Sequence, residues 1–294
     1  MSCAAIWNPL SGSGGAKSKL LIFSTSPKLN LVLRQWTASG AEASWGERTG
    51  SSNIRKDSDL AVAQLQDMIR VFGVIKPNGQ VEGDKSYISN LSPIEQSLNI
   101  ETVSGSLAVS TDGDEQGWLY YLCDSPSGIY ECSVGQEKSK PALIDATGAG
   151  LLNHQDARTH LAACYVASTG SRYIVYQTDL GRIRVYDIGK KSGMTINMSI
   201  TAKTCTPLAA ASYLNDNDQA VIIIYFIDNA TGAIMKAWRG GEGAWETNSV
   251  INTSAPSGIA ALSVAVSERE KHNVIVYSTS ADSKDIKVQV DPWA

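Results

Sequence analysis

The chain repeats a short apolar signature six times, and this repeat restricts its fold more than any other feature. The signature has an Ala-Ala or Ala-Val core and returns roughly every 50 residues. A repeat of this length is one supersecondary unit that buries its apolar face against its neighbours. The copies CAAIW, LAVAQ, LAVST, LAACYV, LAAAS and IAALSV begin at Cys3, Leu60, Leu107, Leu161, Leu208 and Ile259.

Each unit has the pattern of several short strands. The signature is followed by a polar gap and then by a β-branched or aromatic run, such as MIRVFGV or VIIIYFI. A turn comes next, for example Pro77-Asn78-Gly79, and then a third run such as GRIRVYDI. The fourth run is less distinct, with ASWGERTG and GAWETNSV as its clearest examples. Because no helical period separates these runs, the pattern predicts four-stranded antiparallel units.

Six such units predict an all-β, six-bladed β-propeller in which residues 1–294 form a single domain. The six signatures are expected to begin the innermost strands, where small side chains let neighbouring blades approach the axis. An open solenoid would need polar caps at its ends, which the signatures do not provide. The tail DIKVQVDPWA is predicted to pair beside the first unit and cover its edge. A two-domain β-sandwich is the alternative.

Charge and hydropathy argue against two classes of partner. The net charge is −4 and no cluster of Lys and Arg interrupts it, so nucleic acid is not expected to bind. The longest apolar run, 220–227, is far shorter than the roughly 20 residues that cross a bilayer, so no membrane partner is expected. The N-terminal residues MSCAAIWNPLSGSGG lack a basic region and a long apolar run, so a signal peptide is not expected within them, although one removed earlier is compatible with the sequence. Four sequons and an odd cysteine count nevertheless favour the secretory pathway or secretion over the cytoplasm; the sequons begin at Asn90, Asn197, Asn229 and Asn252.

Cysteine and histidine spacing predicts neither a metal site nor a cofactor. The five cysteines lack C-x-x-C spacing, and the three histidines have no ligand or triad spacing. In the secretory pathway, a disulfide between Cys123 and Cys132, which flank one hairpin turn, is expected; Cys164 and Cys205 are an alternative pair.

The second and third runs of the units resemble the fungal fucose-specific lectins, six-bladed propellers that repeat R-V-Y-F-Q, a Gly turn and I-x-E. The sharpest match is IRVFGVIKPNGQVEG, where Arg70 and Glu82 are twelve residues apart as in the family block. The resemblance implies that this Arg and Glu bind sugar hydroxyls while an aromatic side chain from a neighbouring blade covers the apolar sugar face. A simple cross-strand ion pair is the alternative for Arg70 and Glu82.

The other five units depart from this block. Leu119, Tyr173 and Ile223 align with the Arg position of the third to fifth units, while Glu131 survives in the third unit. At the family level, the chain also resembles the fungal hetero-Diels-Alderases, which are divergent lectin-like propellers. That resemblance implies a cofactor-independent cycloaddition that depends on positioning and on hydrogen bonds to the substrate.

The sequence thus leads to two functional hypotheses. The first is a cycloaddition enzyme for apolar, ring-containing polyketide or terpenoid partners, and the alternative is a lectin for fucosylated glycans with few remaining sites. The predicted catalytic donors are Arg70, Tyr121 and Tyr176. The predicted ligand-binding residues are Glu82, Trp118, Glu131 and Tyr173.

Overall fold

The described residues form six antiparallel sheets, five of four strands and one of three, and contain no α-helix. This confirms the predicted all-β, six-bladed propeller. The computed structural model describes residues 2–9, 19–37, 43–44, 53–76, 86–102, 104–124, 127–135, 140–144, 159–178, 180–196, 202–250, 258–279 and 286–293. The predicted turn at Pro77-Asn78-Gly79, Glu82 and the sequons at Asn197 and Asn252 lie outside these ranges.

Each blade is built in chain order from its innermost strand outward. Blades 1 to 3 consist of β1 (Cys3–Trp7), β2 (Lys19–Thr25), β3 (Leu31–Thr37) and β4 (Ala43–Ser44); β5 (Leu60–Leu65), β6 (Met68–Ile75), β7 (Ser86–Ser92) and β8 (Gln96–Thr102); and β9 (Leu107–Thr111), β10 (Gly117–Asp124), β11 (Ser127–Ser133) and β12 (Ala142–Leu143). Blades 4 to 6 consist of β13 (Leu161–Val166), β14 (Ser171–Gln177), β15 (Ile183–Asp187) and β16 (Ser192–Thr195); β17 (Ala209–Leu214), β18 (Ala220–Ile227), β19 (Ile234–Gly240) and β20 (Glu246–Ser249); and β21 (Ala261–Ser267), β22 (His272–Ser278) and β23 (Ile286–Pro292).

The first strand of every blade lines an axial cavity of about 110 Å³. Four of these strands begin where the signatures predict, but Leu208 and Ile259 precede their strands by one and two residues. Leu208 follows Pro207, which has no backbone N–H for a ladder, and Ile259 follows Gly258, whose φ of 93° belongs to a turn. The small residues of the signature therefore lie at the axis, as expected.

The hydrophobic core is divided among the contacts between neighbouring blades. Because side chains alternate along a strand, each blade has a front face toward the next blade and a back face toward the previous one. In blade 4, the back-face residues Ile174 and Tyr176 pack with Tyr120 of blade 3, while the front-face Val175 packs with Ile224 of blade 5. A one-residue change in position along β14 therefore moves a side chain from one interface to the other.

The ring closes by packing between blades 1 and 6, and the predicted pairing of the tail with the first unit is wrong. The tail contains β23, which pairs with β22 inside blade 6, so it extends its own blade. Small side chains of β1 and β21 instead bring the two inner strands together. The backbone N–H of Ala5 donates to the Ser263 hydroxyl at 3.0 Å across this junction.

Hydroxyl side chains just before three inner strands connect each one to its neighbour in the blade. Ser58, Thr159 and Thr206 accept hydrogen bonds from the backbone N–H groups of Val74, Gln177 and Ile227 at 2.7–2.8 Å. All three hydroxyls are buried. They satisfy second-strand N–H groups near the strand end, which a buried backbone requires.

The predicted disulfide between Cys123 and Cys132 is wrong. In the β10–β11 ladder, Cys123 lies opposite Gly128 and Cys132 lies opposite Leu119. Leu119 and Cys123 are four residues apart along β10, so Cys132 lies about 13 Å along the ladder from Cys123. A disulfide needs Cα atoms within about 7 Å. All five cysteines are free thiols, including the alternative pair of Cys164 and Cys205.

Candidate functional site between blades 3 and 4

The predicted site residues occupy three different interfaces, so the structure does not bring them into one cavity. Arg70 and Tyr121 lie between blades 2 and 3, and Tyr173 lies between blades 4 and 5. The interface between blades 3 and 4 contains Trp118, Glu131 and Tyr176. Glu82 is outside the described residues.

Between blades 2 and 3, Arg70 is held by neutral acceptors. Its guanidinium donates to the Gln66 side-chain oxygen at 3.0 Å and to the Val134 carbonyl of blade 3 at 3.4 Å. Tyr121 is buried behind this surface and stacks on Tyr130 with ring centroids 5.8 Å apart. Burial raises the pKa of Tyr121, so its hydroxyl stays protonated at neutral pH.

Between blades 3 and 4, a carboxylate and a guanidinium form a partly exposed ion pair. The Nη1 of Arg172 in β14 donates to the Oε2 of Glu131 in β11 at 2.6 Å. Their side chains keep 23% and 20% of their surface exposed, so solvent reaches both partners. The pair joins the front face of blade 3 to the back face of blade 4.

Two aromatic rings stand beside this ion pair. The Trp118 ring stacks on Tyr165 of blade 4, with centroids 5.6 Å apart and planes 19° apart. The Arg172 guanidinium carbon lies 4.7 Å from the centre of the same indole ring, within cation–π distance. Trp118, Glu131, Tyr165 and Arg172 are all half-buried; we call them the Arg172 site.

The buried Tyr120 forms a hydrogen bond with the Glu131 carboxylate. The pKa of Tyr120 is raised, first by burial and then by the neighbouring Glu131 carboxylate, so its hydroxyl remains protonated and faces Glu131 as a donor. The same hydroxyl lies 3.3 Å from the Ser110 hydroxyl. Tyr176 is fully buried in the same interface, and burial raises its pKa to about 12. The Tyr120 hydroxyl therefore helps to hold the Glu131 carboxylate in place.

Sequence reasoning missed Arg172 and Tyr165. The strand register places Trp118, not Leu119, at the position equivalent to Arg70 and Tyr173, since each lies opposite the fourth residue of the inner strand. The ring thus occupies the Arg position of the lectin block, and the guanidinium comes from the next blade. The missed signal was Arg172, which directly precedes Tyr173. Because side chains alternate along a strand, the Arg172 side chain points toward blade 3 while that of Tyr173 points toward blade 5.

Between blades 5 and 6, a second cation and carboxylate are almost fully enclosed. Lys236 Nζ lies 2.9 Å from Asp291 Oδ1, and the Tyr225 hydroxyl donates to Asp291 Oδ2 at 2.7 Å. Asn273 donates to Tyr225 at 3.0 Å and accepts from the indole N–H of Trp293 at 3.2 Å. We call these five residues the Lys236 network. It connects the two blades through consecutive hydrogen bonds.

Where the chain enters the inner strands of blades 2 and 4, Asp59 and His160 form an ion pair beside the axis. Nδ1 of His160 lies 2.9 and 3.0 Å from the Asp59 carboxylate oxygens, joining the entrances of blades 2 and 4. The Asp59 charge raises the pKa of His160. Cys3, Asp59 and His160 line one small cavity. Burial raises the pKa of Cys3 to about 12, and its thiol donates to the Val276 carbonyl. This thiol is therefore not a thiolate nucleophile at neutral pH.

Two further findings bear on the predicted partners. In the part of the chain that the structure describes, no three His, Cys, Asp or Glu side chains are grouped to hold a metal ion. Those same ranges contain no helix of the length and apolarity that a bilayer crossing requires.

The architecture is that of the lectin-like six-bladed propellers. The structure matches the lectin of Aleuria aurantia with a TM-score of 0.64 and 16% identity, covering 99% of this chain and 95% of the lectin. A lectin from Burkholderia pseudomallei matches with a TM-score of 0.64 and 15% identity, covering 100% of this chain and 82% of the other. At these identities the likeness establishes the fold.

By sequence, the chain is similar to two proteins named wall-associated proteinase. The protein from Coccidioides posadasii is 29% identical over 297 residues, which cover 94% of this chain and 91% of the relative. The protein from Coccidioides immitis is 28% identical over the same shares of both chains. No protein-family model matches the chain.

Proposed function

We propose that this propeller binds a fucosylated glycan at the Arg172 site. The observation that carries the proposal is the exposed Glu131–Arg172 pair beside the Trp118 ring. A sugar presents hydroxyls that both donate and accept hydrogen bonds, and one apolar ring face. The carboxylate accepts from a hydroxyl, the guanidinium donates to one, and the indole offers an apolar surface.

The choice of fucose rests on the lectins of the same fold. Structures of the Aleuria aurantia lectin contain α-methyl-L-fucoside or Fucα1-6GlcNAc. In the lectin block that the sequence resembles, Arg and Glu bind the sugar and a neighbouring aromatic covers it. The Arg172 site has the same three groups, but here the Trp118 ring comes from the same blade as Glu131, and Arg172 comes from the neighbouring blade.

Cycloaddition, the first hypothesis from the sequence, stays a prediction with less support. Its three donors are divided between interfaces, and Tyr121 and Tyr176 are buried at 2% and 0% exposure. A substrate would reach their hydroxyls only after the packing between blades opened. The name of the two relatives suggests proteolysis, but the Cys3 thiol, which lines one cavity with Asp59 and His160, stays protonated and does not support a cysteine-protease site there.

Isothermal titration calorimetry with α-methyl-L-fucoside tests the glycan proposal. We expect Glu131→Gln and Arg172→Gln each to weaken binding at least about tenfold, because a hydrogen bond to a charged group is worth about 1.5–3 kcal/mol. Trp118→Leu should also weaken binding, because the sugar loses the aromatic surface on which it packs. Arg70→Gln is the matched control in the neighbouring interface. Unchanged binding in the three variants would overturn the proposal, and loss in Arg70→Gln alone would move the site to blades 2 and 3.

A further inference from the structure

A second group of polar side chains lies at the outer edge of blades 4 and 5. Arg239 of β19 is half-buried and faces blade 4, where its Nη1 donates to the Met194 sulfur at 2.8 Å. The indole N–H of Trp245 donates to the same sulfur at 3.0 Å. Two strong donors therefore converge on one thioether, which is a weak acceptor.

Within the ranges that the structure describes, the Arg239 guanidinium has no oxygen acceptor of the kind that a half-buried guanidinium normally has. Its Nε is buried and has no hydrogen-bond partner. Among the described residues, no carboxylate lies within ion-pair distance of it, whereas Arg172 has Glu131 and Lys236 has Asp291. A guanidinium carries five N–H donors, and leaving them unsatisfied in a partly desolvated place is costly. An external oxyanion would satisfy them.

An aromatic ring stands directly beside this cation. The Arg239 guanidinium carbon lies 5.4 Å from the centre of the Trp245 ring. Trp245 is half-buried and follows the turn at Gly240 and Gly241, where an added Cβ would meet no atom within 4 Å. The space beside this turn is thus open to a ligand.

The charges around Arg239 favour an anion. Lys190 and Lys191 are exposed on the turn between β15 and β16. Glu242 is 96% exposed and lies 3.9 Å from Lys190, so solvent screens it. The Asp187 carboxylate is buried, accepts from the backbone N–H of Lys190 at 3.0 Å and is hydrogen-bonded to Tyr173. Of the two carboxylates on these neighbouring turns, Asp187 is already hydrogen-bonded and Glu242 is screened, so neither neutralises the Arg239 guanidinium.

We propose that Arg239 and Trp245 bind an acidic sugar, meaning a sugar ring that carries a carboxylate or a sulfate, in the place that the Met194 sulfur now occupies. The oxyanion takes the point where the Arg239 and Trp245 N–H groups converge, and the sugar ring packs on the Trp245 indole. Met194 is 36% exposed and has three rotatable side-chain bonds, so it can move aside. This site differs from the Arg172 site in its blades, its residues and the charge of its ligand.

Calorimetry with three matched probes tests the proposal: a galacturonic acid trimer, a sulfated heparin disaccharide and a neutral galactose trimer. We expect at least one acidic probe to bind, with the tighter of the two identifying the oxyanion, and the neutral trimer to bind at least about tenfold more weakly. Sodium sulfate alone is expected to bind more weakly than either acidic sugar, because it has no ring to pack on Trp245. Equal binding of the neutral trimer, or of sulfate alone, overturns the proposal.

Variants locate the site and separate it from the glycan proposal. Arg239→Gln is expected to weaken acidic-sugar binding at least about tenfold, and Met194→Leu to preserve or tighten it because the competing sulfur is gone. Arg239→Lys keeps the charge without the fork, so an intermediate loss is expected if Arg239→Gln does not fold. Arg269→Gln removes an exposed guanidinium elsewhere, and Arg172→Gln alters the other site; both should bind acidic sugar normally. An equal loss in Arg269→Gln means nonspecific attraction and overturns the proposal.

Discussion

The interfaces between blades 3 and 4 and between blades 5 and 6 place opposite charges at equivalent positions. Glu131 and Lys236 both lie on the third strand, opposite Tyr120 and Tyr225. The partner of Glu131 is Arg172, and that pair keeps about a fifth of its surface exposed; the partner of Lys236 is Asp291, and that pair keeps 12% and 8%. One scaffold position thus supports either an accessible polar pair or an enclosed one.

The two pairs differ in burial more than in residue type, and burial decides whether a ligand can reach a polar pair. Around Arg172, the Trp118 ring and the ion pair both retain exposed surface that a ligand can reach. In the Lys236 network, Tyr225 and Asn273 are fully buried, and Trp293 stacks on Tyr213 at 4.0 Å. Burial raises the pKa of Tyr213 to about 12, with Asp291 as the second cause. An enclosed pair has no face left for a sugar.

The largest effect is expected when the enclosed pair is broken. Asp291→Ala should lower the free energy of unfolding by about 3–5 kcal/mol, because it leaves the Lys236 ammonium buried without a counter-charge. Urea unfolding followed by tryptophan fluorescence measures the loss. The double variant Lys236→Met, Asp291→Leu should recover much of it, since both charges are gone. If Asp291→Ala costs no more than Glu131→Ala, the contrast between the two interfaces fails.

Tyr225→Phe should have the next largest effect. The substitution keeps the ring but removes the hydroxyl that donates to Asp291 and accepts from Asn273. A hydrogen bond to a buried charge contributes about 1.5–3 kcal/mol, and the same loss in unfolding free energy is expected. Tyr277→Phe in the neighbouring blade is the control on a tyrosine outside the network. Equal small losses in both variants would contradict the role of Tyr225.

The repeat made the propeller predictable, while the polar clusters depended on information that the sequence does not display. Ala-rich signatures and β-branched runs report local strand pattern, and they gave the blades and most inner-strand starts. Arg172 was overlooked because alternation puts it and Tyr173 on opposite faces of one strand. The Lys236 network was equally hidden, because its ion pair joins positions 55 residues apart on different blades. Such pairs follow from how blades dock.

The Asp59–His160 pair tests whether a half-exposed pair can still stabilise the ring. Its side chains are 20% and 27% exposed, close to the values of the Arg172 site, but it connects blades 2 and 4. Because the Asp59 charge raises the pKa of His160 above its ordinary 6.5, the folded protein holds the proton more tightly than the unfolded chain. The stabilisation is therefore full below about pH 6.5 and disappears as pH rises through the raised pKa.

Asp59→Asn should accordingly be less stable than the parent by about 1 kcal/mol at pH 6, and the difference should shrink by pH 9. Urea midpoints measured across this range for both proteins give the comparison. Asp57→Asn is the control, because Asp57 is a carboxylate that pairs with Arg55 in the segment before β5. Its loss of stability should be smaller and should change less with pH. A gap that widens toward pH 9 would contradict the assigned sign.

The smallest effect on stability is expected at the Arg172 site, where binding should change most. Glu131→Gln keeps the shape of the side chain and removes the charge of a half-exposed pair, so the unfolding free energy should fall by less than about 1 kcal/mol. The same variant is expected to lose at least about tenfold in fucoside affinity, because the amide is a weaker acceptor than the carboxylate. Asp291→Asn should show the reverse combination, with a large loss of stability and fucoside binding equal to that of the parent whenever the protein is folded. Parallel unfolding and calorimetry on both variants therefore decide whether the two interfaces divide the roles of ligand binding and ring stability between them. A Glu131→Gln variant that unfolds as readily as Asp291→Asn would make Glu131 a structural residue and remove the basis of the glycan site.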